Sequence, residues 1–363
     1  MPHRRPNAIA SALLMLGMSS ATFAQATVTA WGSNLYGQTN VPASLEGVTS
    51  LAGGGWHALA VRTDGTVTAW GYNLYGQRNV PAGLSGVSAV AAGAYHSVVL
   101  KNDGTVAAWG AGLTNTGSWP NYGQSIVPTG LSGVTQISSS WLHTVARKSD
   151  GTVAAWGYNS YGQCSVPTGT TGISQIVAGG YFTMALRSNG TVTAWGQNTD
   201  GQATVPAGLS GVSQVAAGGY HGVALRSNGT VAAWGYNNYG QSDVPVGLSG
   251  VTQVSAGVYH NVALRSDGTV TGWGYGDLGQ TTPPFGMTGA TKVAAGGYFS
   301  MAVIGSPAQP CPADLDASGV VDSGDIAVLL LQFGQAGAGD LDSDGVVTAG
   351  DIAVLLLQFG GCP

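Results

Sequence analysis

The chain has 363 residues, of which 60 are glycine, and it combines 44% hydrophobic with only 7% charged residues. This composition excludes a disordered chain and favours many short strands joined by tight turns. Eight of the sixteen acidic residues lie after residue 310, and residues 27–310 carry eight acids against nine bases, so we expect no nucleic-acid partner.

Residues 1–26 have the pattern of a secretory signal peptide. Arg4 and Arg5 form a positive start, and the apolar run Ile9–Met18 is too short to span a bilayer. The alternative is a buried N-terminal helix. Because no other stretch approaches transmembrane length, the sequence predicts an exported protein without a membrane span, located outside the cell or on its surface.

Residues 27–305 contain seven Trp-Gly pairs, spaced 39 residues apart except for one spacing of 47. A hairpin turn precedes each of the last six pairs, as at Asn228-Gly229, where the dipeptide predicts a tight type I′ hairpin. A long fixed period of strands predicts a propeller or a solenoid. The pairs begin at Trp31, Trp70, Trp109, Trp156, Trp195, Trp234 and Trp273.

The ends of the repeat region favour a ring. The first copy begins in mid-repeat at Thr27–Trp31, and the last copy stops in mid-repeat at Met301–Ile304. We expect these complementary segments to pair, which removes free strand edges. Neither end carries the polar capping repeat of a solenoid. The sequence therefore predicts an all-β seven-bladed propeller over residues 27–305.

The repeat resembles that of the regulator of chromosome condensation (RCC1) family. The matching signature is AAGGYH…AL…DGTV.AWG.N.YGQ, and it recurs in seven copies. This resemblance implies a seven-bladed propeller closed by a shared blade. The short repeat and its GQ..VP ending are most similar to the secreted bacterial β-lactamase-inhibitor propeller, and less similar to nuclear nucleotide-exchange factors.

The AGGYH turn contributes one aromatic residue per copy, and we expect these residues to circle one mouth of the ring. Blade packing would explain this row, and so would a contact surface, because Tyr and Trp offer large rigid areas with polar tips. Resemblance to the inhibitor propeller implies a protein-binding face. The residues assigned to it are Trp56, Tyr95, Trp141, Tyr181, Tyr220, Tyr259 and Tyr298.

The adjoining row is His in five copies and Phe in two. We expect it to pack, with a histidine ring nitrogen bonded to a backbone carbonyl, because metal ligands must converge to about 2 Å from one ion. The YGQ tyrosines Tyr36, Tyr75, Tyr161 and Tyr239 are expected to pack between blades. The row comprises His57, His96, His143, Phe182, His221, His260 and Phe299.

Eight extra residues follow Trp109 and bring in Trp119 and Tyr122. They are interpreted either as neutral drift or as an additional contact on the rim of the ring. The chain has no nucleophile elbow, Walker loop or HExxH motif, and the propeller's acids lie largely in hairpin turns. We therefore expect no enzymatic activity.

After a linker at residues 306–310, residues 311–363 contain a duplicated acidic unit. Each copy opens with a twelve-residue calcium-loop pattern, which predicts two bound Ca²⁺ ions. The alternative is a solvated acidic run. The first loop offers Asp314, Asp316, Ser318, the Val320 carbonyl, Asp322 and Asp325; the second offers Asp340, Asp342, Asp344, the Val346 carbonyl, Thr348 and Asp351.

Each loop leads into an apolar helix, predicted at Ile326–Phe333 and Ile352–Phe359. Loop and helix together resemble a type I dockerin, which implies a cohesin-like partner for residues 314–360. Cys311 and Cys362 bracket this small α-helical domain, and we expect them to form a disulfide in an exported protein. Closing a loop of ~50 residues stabilises by about 4 kcal/mol. Cys164 is expected to be a free thiol.

These features together predict a secreted, monomeric, non-catalytic binding protein. Its propeller mouth would bind an extracellular protein, and its calcium-dependent dockerin-like domain would tether it to a larger assembly. The alternative is a glycan-binding accessory module of an extracellular polysaccharide-degrading system, because aromatic side chains also stack on sugar rings.

Overall fold

The computed structural model describes residues 26–305 and, beyond them, 313, 315, 320–321, 323–335, 337, 339–342, 345–357 and 360–361. The chain divides into two compact units, Gln25–Gln309 and a unit that includes Pro310–Pro363. Several predictions concern residues outside the described ones, namely residues 1–25 of the signal peptide, the linker 306–310, Cys311, Cys362, Asp314, Asp316, Ser318, Asp322 and Asp344.

The first unit consists of antiparallel strands. They are β1 (Thr27–Gly32), β2 (Val48–Gly53), β3 (His57–Arg62), β4 (Val67–Gly71), β5 (Val87–Ala92), β6 (His96–Lys101), β7 (Val106–Gly110), β8 (Asn115–Ser118), β9 (Asn121–Tyr122), β10 (Val134–Ser140), β11 (His143–Lys148), β12 (Val153–Gly157), β13 (Ile173–Ala178), β14 (Phe182–Arg187), β15 (Val192–Gly196), β16 (Val212–Ala217), β17 (His221–Arg226), β18 (Val231–Gly235), β19 (Val251–Ala256), β20 (His260–Arg265), β21 (Val270–Gly274), β22 (Ala290–Ala295) and β23 (Phe299–Ile304).

These strands form seven three-stranded sheets, the blades of a propeller, within residues 26–305. Blades 1 and 2 are β2–β3–β4 and β5–β6–β7, and blades 3 to 6 run in the same way from β10 to β21. Blade 7 combines β22 and β23 with β1. The strands β8 and β9 form a separate hairpin within the insertion after Trp109.

The middle strand of each blade is covered on both faces and is therefore apolar almost throughout. The strand β17, HGVALR, is buried at every residue except Arg226. The core lies between neighbouring blades: Met184 and Leu186 of blade 4 pack with Val215 and Trp234 of blade 5. These contacts hold the blades together, because a single repeat cannot bury its apolar faces without neighbouring repeats.

The hairpins differ from the predicted type I′ turn. Gly229 has φ +78°, but Asn228 does not have the positive φ that a type I′ turn requires. Instead the Arg226 N–H donates to the Thr230 carbonyl across a three-residue loop. The Asn228 side chain accepts the Thr230 N–H at 3.1 Å. The loop is a turn followed by a left-handed glycine, and the Asn side chain stabilises it locally.

The ring closes as predicted from the complementary ends of the repeat region. The strand β1 pairs antiparallel with β23, from Thr27 opposite Ile304 to Gly32 opposite Phe299. Each Trp-Gly tryptophan is buried and donates its Nε1–H to a glutamine carbonyl in the connection that enters its blade. In the closing blade, Trp31 Nε1 lies 2.9 Å from the Gln280 oxygen. The contacts between blades therefore continue across the closure.

The second unit contains β24 (Val320–Val321), α1 (Ser323–Leu331), α2 (Ala349–Leu357) and β25 (Gly360–Gly361), with β24 paired to β25. Both helices begin three residues earlier than predicted, so Asp325 and Asp351 fall in their first turns. A small core includes Val321, Leu329, Val347 and Leu355. Within the described parts of the chain, no helix is both long and apolar enough to cross a membrane.

Candidate functional site: an aromatic face at one mouth of the ring

One mouth of the propeller is covered by aromatic side chains. All fourteen tyrosines of the chain take part, together with Trp56, Trp119 and Trp141, and each ring lies within 6.5 Å, centroid to centroid, of another. We call this set the aromatic face. The seven turn residues assigned from the sequence lie around this mouth in two contacting groups. One group is the pair Trp56–Tyr95, and the other is the series Trp141–Tyr181, Tyr181–Tyr220, Tyr220–Tyr259 and Tyr259–Tyr298.

The YGQ tyrosines pack between blades, as predicted, and they also enlarge the face. Tyr75 lies 5.1 Å from Tyr95, and Tyr239 lies 5.1 Å from Tyr259. Tyr239 remains 46% exposed, so this packing leaves area for a ligand. Tyr75, Tyr161 and Tyr239 also contact residues that sequence reasoning missed, the tyrosines directly after Trp-Gly. Their signal was the recurring WGY tripeptide, and they are Tyr72, Tyr158, Tyr236 and Tyr275.

The assignment of Trp141 to the same repeat position as Tyr95 was wrong. The carbonyl of Leu142 accepts the N–H of Tyr158, as the Tyr95 carbonyl accepts that of Ala111, so Leu142 is the equivalent residue. Trp141 occupies the preceding position, which is glycine in most copies. Its carbonyl accepts the N–H of Ala94, the residue at this position in the previous blade. From there its ring reaches Tyr220, two blades away, at 5.6 Å.

The histidine row packs, although with a different partner from the one expected. His57 Nε2 lies 2.9 Å from Ser97 Oγ of the next blade, and that hydroxyl donates to the Gln77 carbonyl at 2.7 Å. The hydroxyl must therefore accept from His57 Nε2–H. The other histidines bond an equivalent side chain in the same way, at Thr144, Thr183, Asn261 and Ser300.

The two phenylalanines of this row follow from the same geometry. Phe182 and Phe299 are fully buried, and the equivalent partner positions in the following blades are Gly222 and Ala58, which have no polar side-chain atom. An imidazole there would have a buried, unsatisfied N–H, which costs free energy. Each position of the row therefore holds either a hydrogen-bonded pair or an apolar pair, and the residues of the row are structural.

Tyr95 and Tyr181 of the aromatic face are uncharged at neutral pH. Burial raises the pKa of Tyr95 and of Tyr181 to about 12, with smaller contributions from neighbouring tyrosines. Their hydroxyls therefore stay protonated and can both donate and accept hydrogen bonds. The face can offer a partner large apolar rings edged with neutral hydroxyls.

The central channel, about 280 Å³, is lined mainly by Gly, Ala, Ser and Gln residues of the inner strands. Its glutamines are engaged: Gln175 Nε2 donates to the Val215 carbonyl, and Gln175 Oε1 accepts the Val215 N–H. The channel residues thus bond neighbouring blades together. The aromatic face is the stronger candidate for a binding site in residues 26–305.

In the second unit, oxygens of Asp340, Asp342 and Asp351 all lie within 4.8 Å of one another. Asp351 is buried, and the Thr348 N–H donates to it, which holds the pKa of Asp351 below its usual value. In the first copy, Asp325 accepts the Leu315 N–H, as Asp351 accepts that of Leu341. An all-carboxylate oxygen set of this size suits Ca²⁺. The described part of the second loop therefore fits a calcium ion.

The sequence matches the family model described as regulator of chromosome condensation (RCC1) repeat at residues 48–77, 87–124, 134–163, 173–202, 212–241 and 251–280. Each segment begins at the first strand of one of blades 1 to 6 and extends past the third strand of that blade. Blade 7, which is split between the two ends of the repeat region, is not matched. A search of curated proteins found no match.

Several solved structures are similar in fold. Yeast RCC1 (Prp20), in a complex with Kap60, aligns with a TM-score of 0.66 and 20% identity over 78% of this chain and 90% of that chain. Human WBSCR16 aligns with 0.62 and 20% over 77% and 100%. The ectodomain of the Physcomitrella patens receptor kinase CR4 aligns with 0.57 and 23% over 72% and 71%. Identities this low show a shared propeller fold.

Proposed function

Because the chain belongs to the RCC1 repeat family, we propose that it is a secreted, non-catalytic protein whose aromatic face binds an extracellular protein partner. The observation that carries this proposal is the concentration of all fourteen tyrosines and three tryptophans at one mouth. RCC1-like propellers are a general protein-interaction fold, and yeast RCC1 is bound to Kap60 in one of the similar structures. The short repeat and its GQ..VP ending resemble the secreted β-lactamase-inhibitor propellers, and this resemblance supports the proposal of a secreted protein-binding propeller.

The packing of the face supports tight binding of a partner. Trp56 stacks on Tyr95 at 5.4 Å and 27°, and Tyr239 meets Tyr259 edge to face at 5.1 Å. Rings held in this way lose little rotational freedom on binding, which lowers the entropic cost of association. Tyr and Trp are also the residue types that most often dominate interface energetics.

The second unit acts, in this proposal, as a dockerin-like tether. Asp340, Asp342 and Asp351, together with Thr348 and the Val346 carbonyl, would hold one Ca²⁺, and the first loop would hold another. Bound calcium would neutralise the clustered carboxylates and stabilise the unit. A disulfide between Cys311 and Cys362 would join its ends, and a cohesin-like module is the partner that the resemblance implies.

A glycan ligand is the second candidate function. The hydroxyls of Tyr95 and Tyr181 stay neutral at neutral pH, and stacked aromatic rings with neutral hydroxyls also suit sugar rings. A glycan array separates the two functions, because a protein-binding face should show no preference among sugars. Reproducible selection of one glycan would favour the accessory-module function.

The decisive experiment is affinity capture from the native secretome with the triple variant Trp56→Ala, Trp141→Ala, Tyr220→Ala. We expect the captured partner to fall at least tenfold relative to the unmodified chain. The matched control is Val246→Ala, Phe285→Ala, because both side chains are fully exposed and neither belongs to the aromatic face. Equal capture by the triple variant, with an unchanged unfolding temperature, would exclude the mouth as the interface.

A further inference from the structure

A cavity of about 220 Å³ lies within the aromatic face. Its lining includes no charged side chain. The residues that define its walls are Trp56, Tyr95, Trp119, Trp141, Leu142 and Tyr181. The cavity adjoins the central channel, since Trp141 lines both.

Two separate departures from the repeat meet at this cavity. Trp119 comes from the insertion between blades 2 and 3, and its ring lies 5.4 Å from that of Tyr95, nearly perpendicular to it at 85°. Trp141 comes from the turn of blade 3 and replaces the glycine found at Gly55, Gly180 and Gly219. Neutral drift does not explain why two additional tryptophans, from separate parts of the sequence, line the same cavity.

The backbone at Trp141 argues in the same direction. Trp141 has φ +28°, and within the described residues every other positive φ belongs to glycine. A bulky residue is unfavourable in that conformation, and such strain concentrates at binding sites. A glycine would relieve it. The backbone conformation at Trp141 therefore costs folding stability, and the wall that its side chain adds to the cavity provides a functional reason for the residue.

We propose that this cavity binds one neutral aromatic side chain, presented at the tip of a loop by the partner protein. The inference rests on the proposed function and specifies the chemistry of the contact. A cavity of about 150 Å³ holds benzene, so 220 Å³ has room for a phenol or an indole. Aromatic walls favour an aromatic guest through stacked and edge-to-face contacts.

Other guests fit the cavity less well. A cationic side chain could make cation–π contacts with these aromatic walls, but the lining offers no carboxylate to offset the loss of its hydration. A sugar ring would have only tyrosine hydroxyls and tryptophan N–H groups among the side chains of the lining to satisfy its many hydroxyl groups. A single buried aromatic anchor at the centre of an interface is instead a common arrangement in protein recognition.

The test is a titration of the full chain with free indole, followed by ligand-observed NMR. We expect Trp119→Ala and Trp141→Gly each to weaken indole binding at least tenfold. Trp141→Gly restores the residue that other blades carry, so this variant should fold, and its unfolding temperature verifies that. The matched control is Leu113→Ala, in the same insertion and 63% exposed but outside the cavity, and it should bind indole normally.

Indole binding that is absent, or that is unchanged in both tryptophan variants, would overturn the proposal. Tighter binding of methyl glucoside than of indole would also overturn it and favour a sugar guest. Partner capture distinguishes this inference from the proposed function. If partner capture is lost in the triple variant but is unaffected by Trp119→Ala and by saturating indole, the mouth remains the interface. The cavity is then excluded as the site that holds the partner's aromatic side chain.

Discussion

At the residue scale, the five buried histidines make the propeller sensitive to acid. His57 Nε2–H is bonded to Ser97, while Nδ1 is buried without a hydrogen-bond partner among the described residues. A second proton on the ring would remain buried and unpaired. Burial accordingly lowers the pKa of His57 to about 3 and that of His221 to about 4.

The resulting prediction is a loss of stability below about pH 6.5, the pKa of histidine in the unfolded chain. Between that pH and the folded pKa values of about 3 to 4, the unfolded chain binds up to five more protons than the folded one, so stability falls as pH falls. Each histidine contributes at most ~1.4 kcal/mol per pH unit. Urea unfolding at pH 7, 6 and 5 measures the slope, and a flat profile would contradict the assignment.

A double-mutant cycle tests the hydrogen-bonded pair of His57 and Ser97. Ser97→Ala leaves the His57 N–H buried and unpaired, which should cost about 1–3 kcal/mol in the free energy of unfolding. His57→Phe with Ser97→Ala reproduces the natural pair of Phe299 and Ala58 and should recover most of that loss. Denaturant unfolding of the three variants measures the coupling, and simple additivity would show that the two residues act independently.

At the element scale, the strand β1 closes the ring. It supplies the third strand of blade 7, and Trp31 bonds the Gln280 carbonyl as the equivalent tryptophans do in other blades. Without it, β23 would present an unpaired edge, and the apolar face packed against β1 would be exposed. An open edge of this kind promotes pairing with other chains.

We therefore expect that removal of residues 27–32 causes cooperative loss of stability and aggregation. Thermal unfolding and size-exclusion chromatography follow the outcome. Removal of residues 311–363, which lie in the other compact unit, provides the control and should leave the propeller transition unchanged. A monomeric, equally stable propeller after removal of β1 would show that closure contributes little.

At the scale of the whole molecule, the two units should respond differently to calcium. The carboxylates of Asp340, Asp342 and Asp351 lie close together in the second unit, whereas the propeller has no comparable cluster among its described residues. Calorimetry with and without a chelator should show one transition that depends on calcium and one that does not. A chelator that lowers the unfolding temperature of the propeller would contradict this division.

Much of the propeller could be predicted because its signals are local and repeated. The 39-residue period, the glycine of each turn and the halves of a repeat at Thr27 and Ile304 all lie in the linear sequence, and the pairing of β1 with β23 confirmed their reading. The hairpin type was predicted wrongly, because the same Asn-Gly dipeptide occurs both in two-residue type I′ turns and in three-residue loops that end in a left-handed glycine. Predicted helix starts were late because Asp325 and Asp351 were treated only as ligands.

The sequence by itself determined the number of repeats, the closure of the ring and the membership of the aromatic row at six positions. Only the tertiary structure decided that Trp141 reaches Tyr220, that Trp119 meets Tyr95, and that the WGY tyrosines join the same face. The physical reason is distance. A repeat places equivalent atoms by its period alone, whereas side chains that break the period meet wherever the curvature of the ring brings neighbouring blades together.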